Sequence, residues 1–381
     1  MKFTASAFVR TATLLGVLGA QVAFAAQNSK PTIISFDAPG ADTTVNHANG
    51  TFATGINIVG EVTGYYVDTN NVVHGFVRSA AGKFKTFNAP GASTAGFNSG
   101  TIPSAINDLG TVTGYYQDVN GNTRGFLFDA KGKFTTFDVP GALGSSIPVG
   151  INLEGAVVGY YSGPNGVSRA FERHPDGTFT TYSGPGACSA NGTAFCYGSA
   201  AFSINIFGES AAGFEDNRGK LTNHGLIRNV EGKLTPFNAP GAGSGLYQGT
   251  GCPGCAPGIN LWGAIAGTFI DSNNISHGYL RSPQGQFTTF NVPGAGTAAG
   301  QGTGCTSDCS VGLNDFGVIA GNYLDANYAY RVFTRSPQGA ITLIDPPGTQ
   351  FTSFNGINDE GTVIGYYLDE SGVFHGYLSC P

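Results

Sequence analysis

Beyond its first thirty residues the chain is written in short apolar runs broken by Gly, Asn, Asp and Pro. Val62 to Val67 is one such run and Val112 to Gln117 another. Each is too short for a helix and ends at a turn signal, which predicts strands.

The runs recur as one phrase. An aromatic residue or Ile, usually followed by Asp or Asn, leads through one residue to Pro-Gly. It begins at Phe36, Phe87, Phe137, Tyr182, Phe237, Phe290 and Ile344. Gly-Ile-Asn-x-x-Gly follows, as at Gly55 to Asn57, then Gly-Tyr-Tyr-x-Asp, as at Gly114 to Asp118. His-Gly-Phe-x-Arg comes next (His74 to Arg78), and Gly-x-Phe-x-Thr-Phe last (Gly132 to Phe137). Four strands per unit follow, here a to d. Asn-x-x-Gly is the tight a–b turn, with Gly supplying a positive φ. Four-stranded units of about 50 residues are the size of propeller blades. The chain after residue 30 opens on a lone d strand (residues 31–37) and ends on a c strand that lacks its d. The expected fold is therefore all-β: a seven-bladed β-propeller over residues 26–381, four strands per blade, closed by the N-terminal strand, which completes the last blade. An open solenoid would need atypical end units instead.

These phrases resemble the extracellular repeat family named for its His-Ala-Phe motif, the HAF repeats. The motif stands here as His74-Gly75-Phe76, Arg124-Gly125-Phe126, Arg169-Ala170-Phe171 and His277-Gly278-Tyr279. His224-Gly225-Leu226 and Arg331-Val332-Phe333 depart most. The resemblance implies secretion and a repeat domain, and neither an activity nor catalytic residues.

Composition narrows the class. Gly is 60 of 381 residues and charged residues are 11%, against roughly 7% and 25% in ordinary chains. So many Gly residues exclude a helical protein, because each costs about 1 kcal/mol in a helix. Aromatics at 12% exclude disorder. Lys2 and Arg10, the apolar run Thr11 to Val22 and the small-x-small site Ala23-Phe24-Ala25 read as a signal peptide over residues 1–25. The expected location is secreted or periplasmic, without a membrane span. Without Lys2 and Arg10, 16 of the 18 cations remain against 24 acids, a net of −8. That charge disfavours nucleic acid and anionic lipid.

Strand order puts the d–a and b–c connections on one face and the tight a–b and c–d turns on the other. The long-loop face is the expected binding face. The three longest d–a connections also carry paired cysteines: Cys188 with Cys196, Cys252 with Cys255, and Cys305 with Cys309. In an oxidising compartment these read as local disulfides, with a cross-loop pair such as Cys196 with Cys252 left open and Cys380 unpaired. The candidate ligand-binding residues are Asp42, His47, Phe195, Tyr197, Tyr247, Gln248, Gln301 and Asp308. The repeated histidines read as buried structural donors, and the repeated Tyr pairs as core. Asp118-x-Asn120-x-Asn122 starts like a calcium loop but has Thr123 at the Gly position. Cys252-Pro-Gly-Cys255 lacks the strand–helix context of a redox motif. No metal or cofactor is expected.

The first functional expectation is a noncatalytic, monomeric propeller binding an extracellular glycan or another extracellular surface. The second is a polysaccharide lyase or glycoside hydrolase using His47, Tyr247 and Asp308. The third is a protein-interaction scaffold.

Overall fold

The computed structural model describes residues 31–45, 49–95, 99–188, 196–216, 221–251, 254–305 and 309–381. The segment read as a signal peptide lies outside them. The described chain is all-β, its one helical element a single 3-10 turn at Pro164–Gly166.

Strands form where the apolar runs predict them. In the first unit a is Thr51–Ile56, b Val62–Val67, c Val73–Arg78 and d Phe84–Phe87. They pair in that order, each antiparallel to the next. The second and third units repeat the arrangement. From Ser199 to Ile344 the ladders run into one another through the parallel bridges Asn223–Gly249 and Ser276–Gly302. Strand a is split there, into Gly249–Thr250 with Gly258–Ile259 and Gly302–Thr303 with Val311–Leu313. The last sheet holds Thr349–Ile357, Val363–Asp369 and Phe374–Cys380, with Thr32–Phe36 as its outer strand. That leading strand pairs residue by residue from Thr32 opposite Cys380 to Phe36 opposite Gly376. Pro31–Pro381 form one compact unit.

The core lies between successive sheets. The aromatic residue of the His-Gly-Phe phrase is fully buried in most units, as Phe76, Phe126, Phe171, Tyr279, Phe333 and Tyr377. Its Gly neighbour is a close-approach site. A Cβ at Gly75 would stand 2.5 Å from the Phe87 ring, and one at Gly376 2.6 Å from Phe36. The Gly thus lets the strand d aromatic lie flat on strand c. The Arg that ends strand c then caps the aromatic of the preceding sheet: Arg78 over Phe36 at 4.9 Å, Arg281 over Phe237 at 5.2 Å, Arg335 over Phe290 at 5.0 Å. Each such contact contributes about 0.5–2 kcal/mol.

The a–b turns are tied to one another. Each turn Asn accepts backbone N–H groups of its own turn through Oδ1, as Asn107 does from Leu109 and Thr111. Its Nδ2 donates to the backbone carbonyl of the next unit's Asn. The chain of donation runs Asn57, Asn107, Asn152, Asn205, Asn260, Asn314, Asn358 and returns from Asn358 to Asn57 over 3.3 Å. All seven residues are buried, so each amide answers a carbonyl that has little access to water.

The repeated His and Arg positions are corrected in one respect. They are half-buried side chains in a polar pin, and none of the four histidines is sealed in the core. His74 joins Asp68 of the b–c loop (3.2 Å) to Asn88 after strand d (2.9 Å). His224 does so with Asp216 and Asn238, and His277 with Asp271 and Asn291. Arg124 and Arg331 stand between two acidic partners: Arg124 with Asp118 and Asp138, Arg331 with Asp325 and Asp345. His375 is the exception, placed between Asp37 (2.9 Å) and Asp369 (3.3 Å). The hydrogen bond to Asp37 raises its pKa against the opposing effect of burial, and the Asp369 carboxylate adds to the rise. A raised His pKa contributes stability fully below the unfolded value of about 6.5 and loses it as pH rises through the folded value. The melting gap between the parent and His375→Gln should therefore be largest near pH 6 and shrink by pH 9. Melting curves across that range check this; a gap that stays constant would remove the ionic role.

Candidate functional site

The long-loop face is built as its cysteines suggest, within the described residues. Cys188 pairs with Cys196 and Cys305 with Cys309. The cross-loop alternative for Cys196 does not occur. Cys252 lies outside the described residues, and Cys380 is a free thiol. The fifth and sixth units' loops interlock: Ala256 N donates to Cys309 O and Val311 N to Ala256 O.

Three expected site residues are buried loop pins, which corrects their reading as reachable. Asp42 accepts Thr44 N and Asn49 Nδ2. Gln248 donates to Ser272 O and Asn274 Oδ1 while accepting Gly245 N. Gln301 donates to Ala326 O and accepts Ala298 N. These amides hold neighbouring loops in register. Tyr247 is half-buried with a positive φ of 57°, and its carbonyl accepts Asn223 Nδ2. Tyr197 stands 54% exposed. His47, Phe195 and Asp308 lie outside the described residues.

The face does contain a pocket, and its cause is a break in the repeat. Opposite the middle residue of the c-strand motif (Gly75, Gly125, Ala170 and Gly376), the b strand carries Tyr65, Tyr115, Tyr160 and Tyr366 in four units. These rings lie near one another, and burial pushes Tyr65 up and Tyr115 to about 12. The equivalent residues in units four to six are Gly213, Thr268 and Asn322. Asn322 refills its place by bonding Thr352 O, Arg331 O and Phe354 N. Gly213 and Thr268 do not, and a pocket of ≈ 50 Å³ opens between units four and five. Phe202, Tyr197, Asn223 and Tyr279 are among its walls.

Glu215 lines this pocket. Other units place Val67, Gln117, Ser162, Ile270, Leu324 and Leu368 at its position. A carboxyl there is 2% exposed. The disulfide loop is seated on it: Cys188 N donates to Glu215 O, Glu215 N to Gly198 O, and Tyr197 N to Glu215 Oε2 over 2.8 Å. Oε1 has no hydrogen-bond partner among the described residues. Burial raises the carboxyl above the usual range, against the Tyr197 N–H that favours its ionised form. A buried carboxyl with an uncommitted oxygen costs about 1–3 kcal/mol, and this residue lines a pocket. The sulfurs of Cys188 and Cys196 lie within 4.8 Å of this carboxylate, but bonded to each other they offer a metal no thiolate. The sequence signal for Glu215 is a break in the repeat, an acid where the other six units carry an apolar or uncharged residue.

No family model matches the chain, and no curated protein does. Solved structures do. A catalytically inactive virginiamycin B lyase from Staphylococcus aureus with quinupristin aligns at a TM-score of 0.56 and 16% identity, over 92% of this chain and 99% of that one. The β-propeller domain of the Trilobed protease from Pyrococcus furiosus, of open velcro topology, aligns at 0.54 and 7% identity, over 86% and 95%. The BP39L lectin from Burkholderia pseudomallei aligns at 0.51 and 13% identity, over 86% and 94%. At these identities the likeness establishes a β-propeller fold and nothing finer.

Proposed function

We propose that this chain is a secreted, seven-bladed propeller of HAF-repeat type, closed by its leading strand, that binds a neutral carbohydrate through the Glu215 pocket. The observation that carries the ligand reading is a buried carboxyl, one oxygen of it without a partner among the described residues, in the lining of a gap opened by Gly213 and Thr268. A sugar hydroxyl both donates and accepts, so it satisfies Oε1 in either protonation state. The pocket takes a few water-sized groups, hence a hydroxyl or hydroxymethyl but not a ring. The sugar body then rests outside, against exposed Tyr197. A lectin among the structural neighbours supports the reading, and so does the net charge of −6, which disfavours polyanions. The Asn circuit and the pairing of Thr32–Phe36 support closure. Two disulfides support an oxidising compartment, and no helix of the described residues is long and apolar enough to cross a membrane. A monomer suffices, because the pocket is complete within one chain.

A glycan-cleaving reading has one observation in its favour: a carboxyl raised by burial is suited to act as a general acid. Both readings are tested by one screen of neutral glycans and polysaccharides, read for retention and for new reducing or unsaturated ends. Retention without turnover is expected, weakened at least about tenfold by Glu215→Gln and by Tyr197→Ala. Turnover lost in Glu215→Gln would move the assignment to the second reading. No retained glycan, or equal retention by Glu215→Gln, would refute the site.

A further inference from the structure

The opposite face, made of tight turns, carries an unexpected surface. The two middle positions of an Asn-x-x-Gly turn usually hold small or polar residues. Here the second of them is Val59, Leu109, Phe207, Trp262 and Phe316 in five units, all 59–70% exposed. The Asn circuit gathers these turns around one opening, a cavity of ≈ 250 Å³. Scattered exposed apolar residues are ordinary, but a gathered rim marks an interaction site.

The opening inside the rim is acidic. Asp108, Asp315 and Asp359 line it, and its lining includes no Lys, Arg or His among the described residues. Each is held by a backbone N–H of a neighbouring turn: Asp108 by Ile58, Asp315 by Leu261, Asp359 by Asp315. Trp262 is fixed too, its Nε1 donating to Asp315 O over 2.9 Å. Burial first, then the charges of Asp315 and Asp108, raise the Asp359 carboxyl. The carboxylates repel one another without a counter-charge in the opening.

We propose that this rim docks a partner polypeptide segment that is apolar and carries a Lys or Arg, its cation entering the acidic opening while its apolar side chains cover Trp262, Phe207 and Phe316. The charge selects this occupant. A second copy packed face to face would oppose like carboxylates, and an anionic lipid surface would meet the same repulsion. Aromatic side chains are enriched at protein interfaces, and matching charge fixes which partner is taken.

Trp262 is the only Trp of the chain and reports the event directly. Three synthetic peptides of equal length and leucine content, bearing Lys, Gln or Glu, are titrated while Trp262 emission is followed. The Lys peptide is expected to give a saturable blue shift with a Kd at least about tenfold below that of the Gln peptide, and the Glu peptide none. Asp315→Asn with Asp359→Asn should bring the Lys peptide to the level of the Gln peptide, and Phe207→Ser with Phe316→Ser should weaken both. Melting curves confirm that these surface variants fold. Glu215→Gln should leave the shift intact, which separates this surface from the glycan pocket. Equal response to all three peptides, or a Lys response that survives the Asp variants, overturns the proposal. So does a dimer in sedimentation that Trp262→Ser abolishes, or a Trp262 shift on phosphatidylglycerol vesicles.

Discussion

Deleting Thr32–Phe36 is expected to lower the unfolding midpoint by more than about 10 °C and to broaden the transition. Phe36 packs edge-on against Phe76 and close to Phe84, with Arg78 above it. Its loss alone costs about 3–5 kcal/mol, a large part of the 5–15 kcal/mol typical of a fold. The deletion also removes the ladder to Phe374–Cys380, leaving a long unpaired edge that invites aggregation. A local readout accompanies the melt: Cys380 lies opposite Thr32, so its alkylation should accelerate while the disulfides of the described residues stay intact. Adding a peptide of residues 31–38 should restore part of the midpoint. An unchanged melt and an unchanged thiol rate would mean that the strand is ornamental.

Asn107→Ala is expected to cost about 3 kcal/mol, on the order of 6 °C in midpoint. The Asn107 side chain makes three hydrogen bonds, to Leu109 N, Thr111 N and Asn152 O. Alanine takes from those three backbone groups their side-chain partner, the Asn152 carbonyl in a buried setting and the two N–H groups in a half-buried one. Asn107→Asp separates the roles. It keeps both acceptors but loses the donor at neutral pH. A carboxyl buried there should titrate above its unfolded value, so it adds stability in acid and loses it as pH rises through the folded pKa. Relative to the parent, the Asp variant should thus be worst near pH 7.5 and approach the parent near pH 4.5, where its protonated oxygen donates to Asn152. Paired melts at the two pH values decide it; a deficit independent of pH would mean that the amide's donation across units is unimportant.

Strands and turns were legible because they are local. Asn-x-x-Gly and Gly-Tyr-Tyr announce their conformation within six residues, and the repeat multiplies the signal. The Gly of His-Gly-Phe was legible as a small residue but not as a seat for Phe87, because that contact needs the strand pairing. Asn57 and its equivalents read only as turn formers; nothing in the spacing tells that an amide reaches the neighbouring unit. Gln248 and Gln301 misled in the opposite direction. Polar residues in long loops look available for a ligand, yet loops that long need internal hydrogen bonds to hold any shape. The pocket has no signature of its own in the sequence, because a repeat displays what recurs. Gly213 and Glu215 matter because they are what their sister units lack.

The Asn circuit has a further consequence. A linear row of hydrogen bonds always strands a donor at one end and an acceptor at the other; a head-to-tail loop has no end group, whatever its membership. Hydrogen bonding at the turns therefore does not count the members. Counting falls to steric crowding at the inner strands, where a Cβ on Gly55 would stand 3.1 Å from Ala105 and one on Gly312 2.7 Å from Phe354. Gene duplication or loss of one whole repeat would keep every amide matched and be judged by curvature alone.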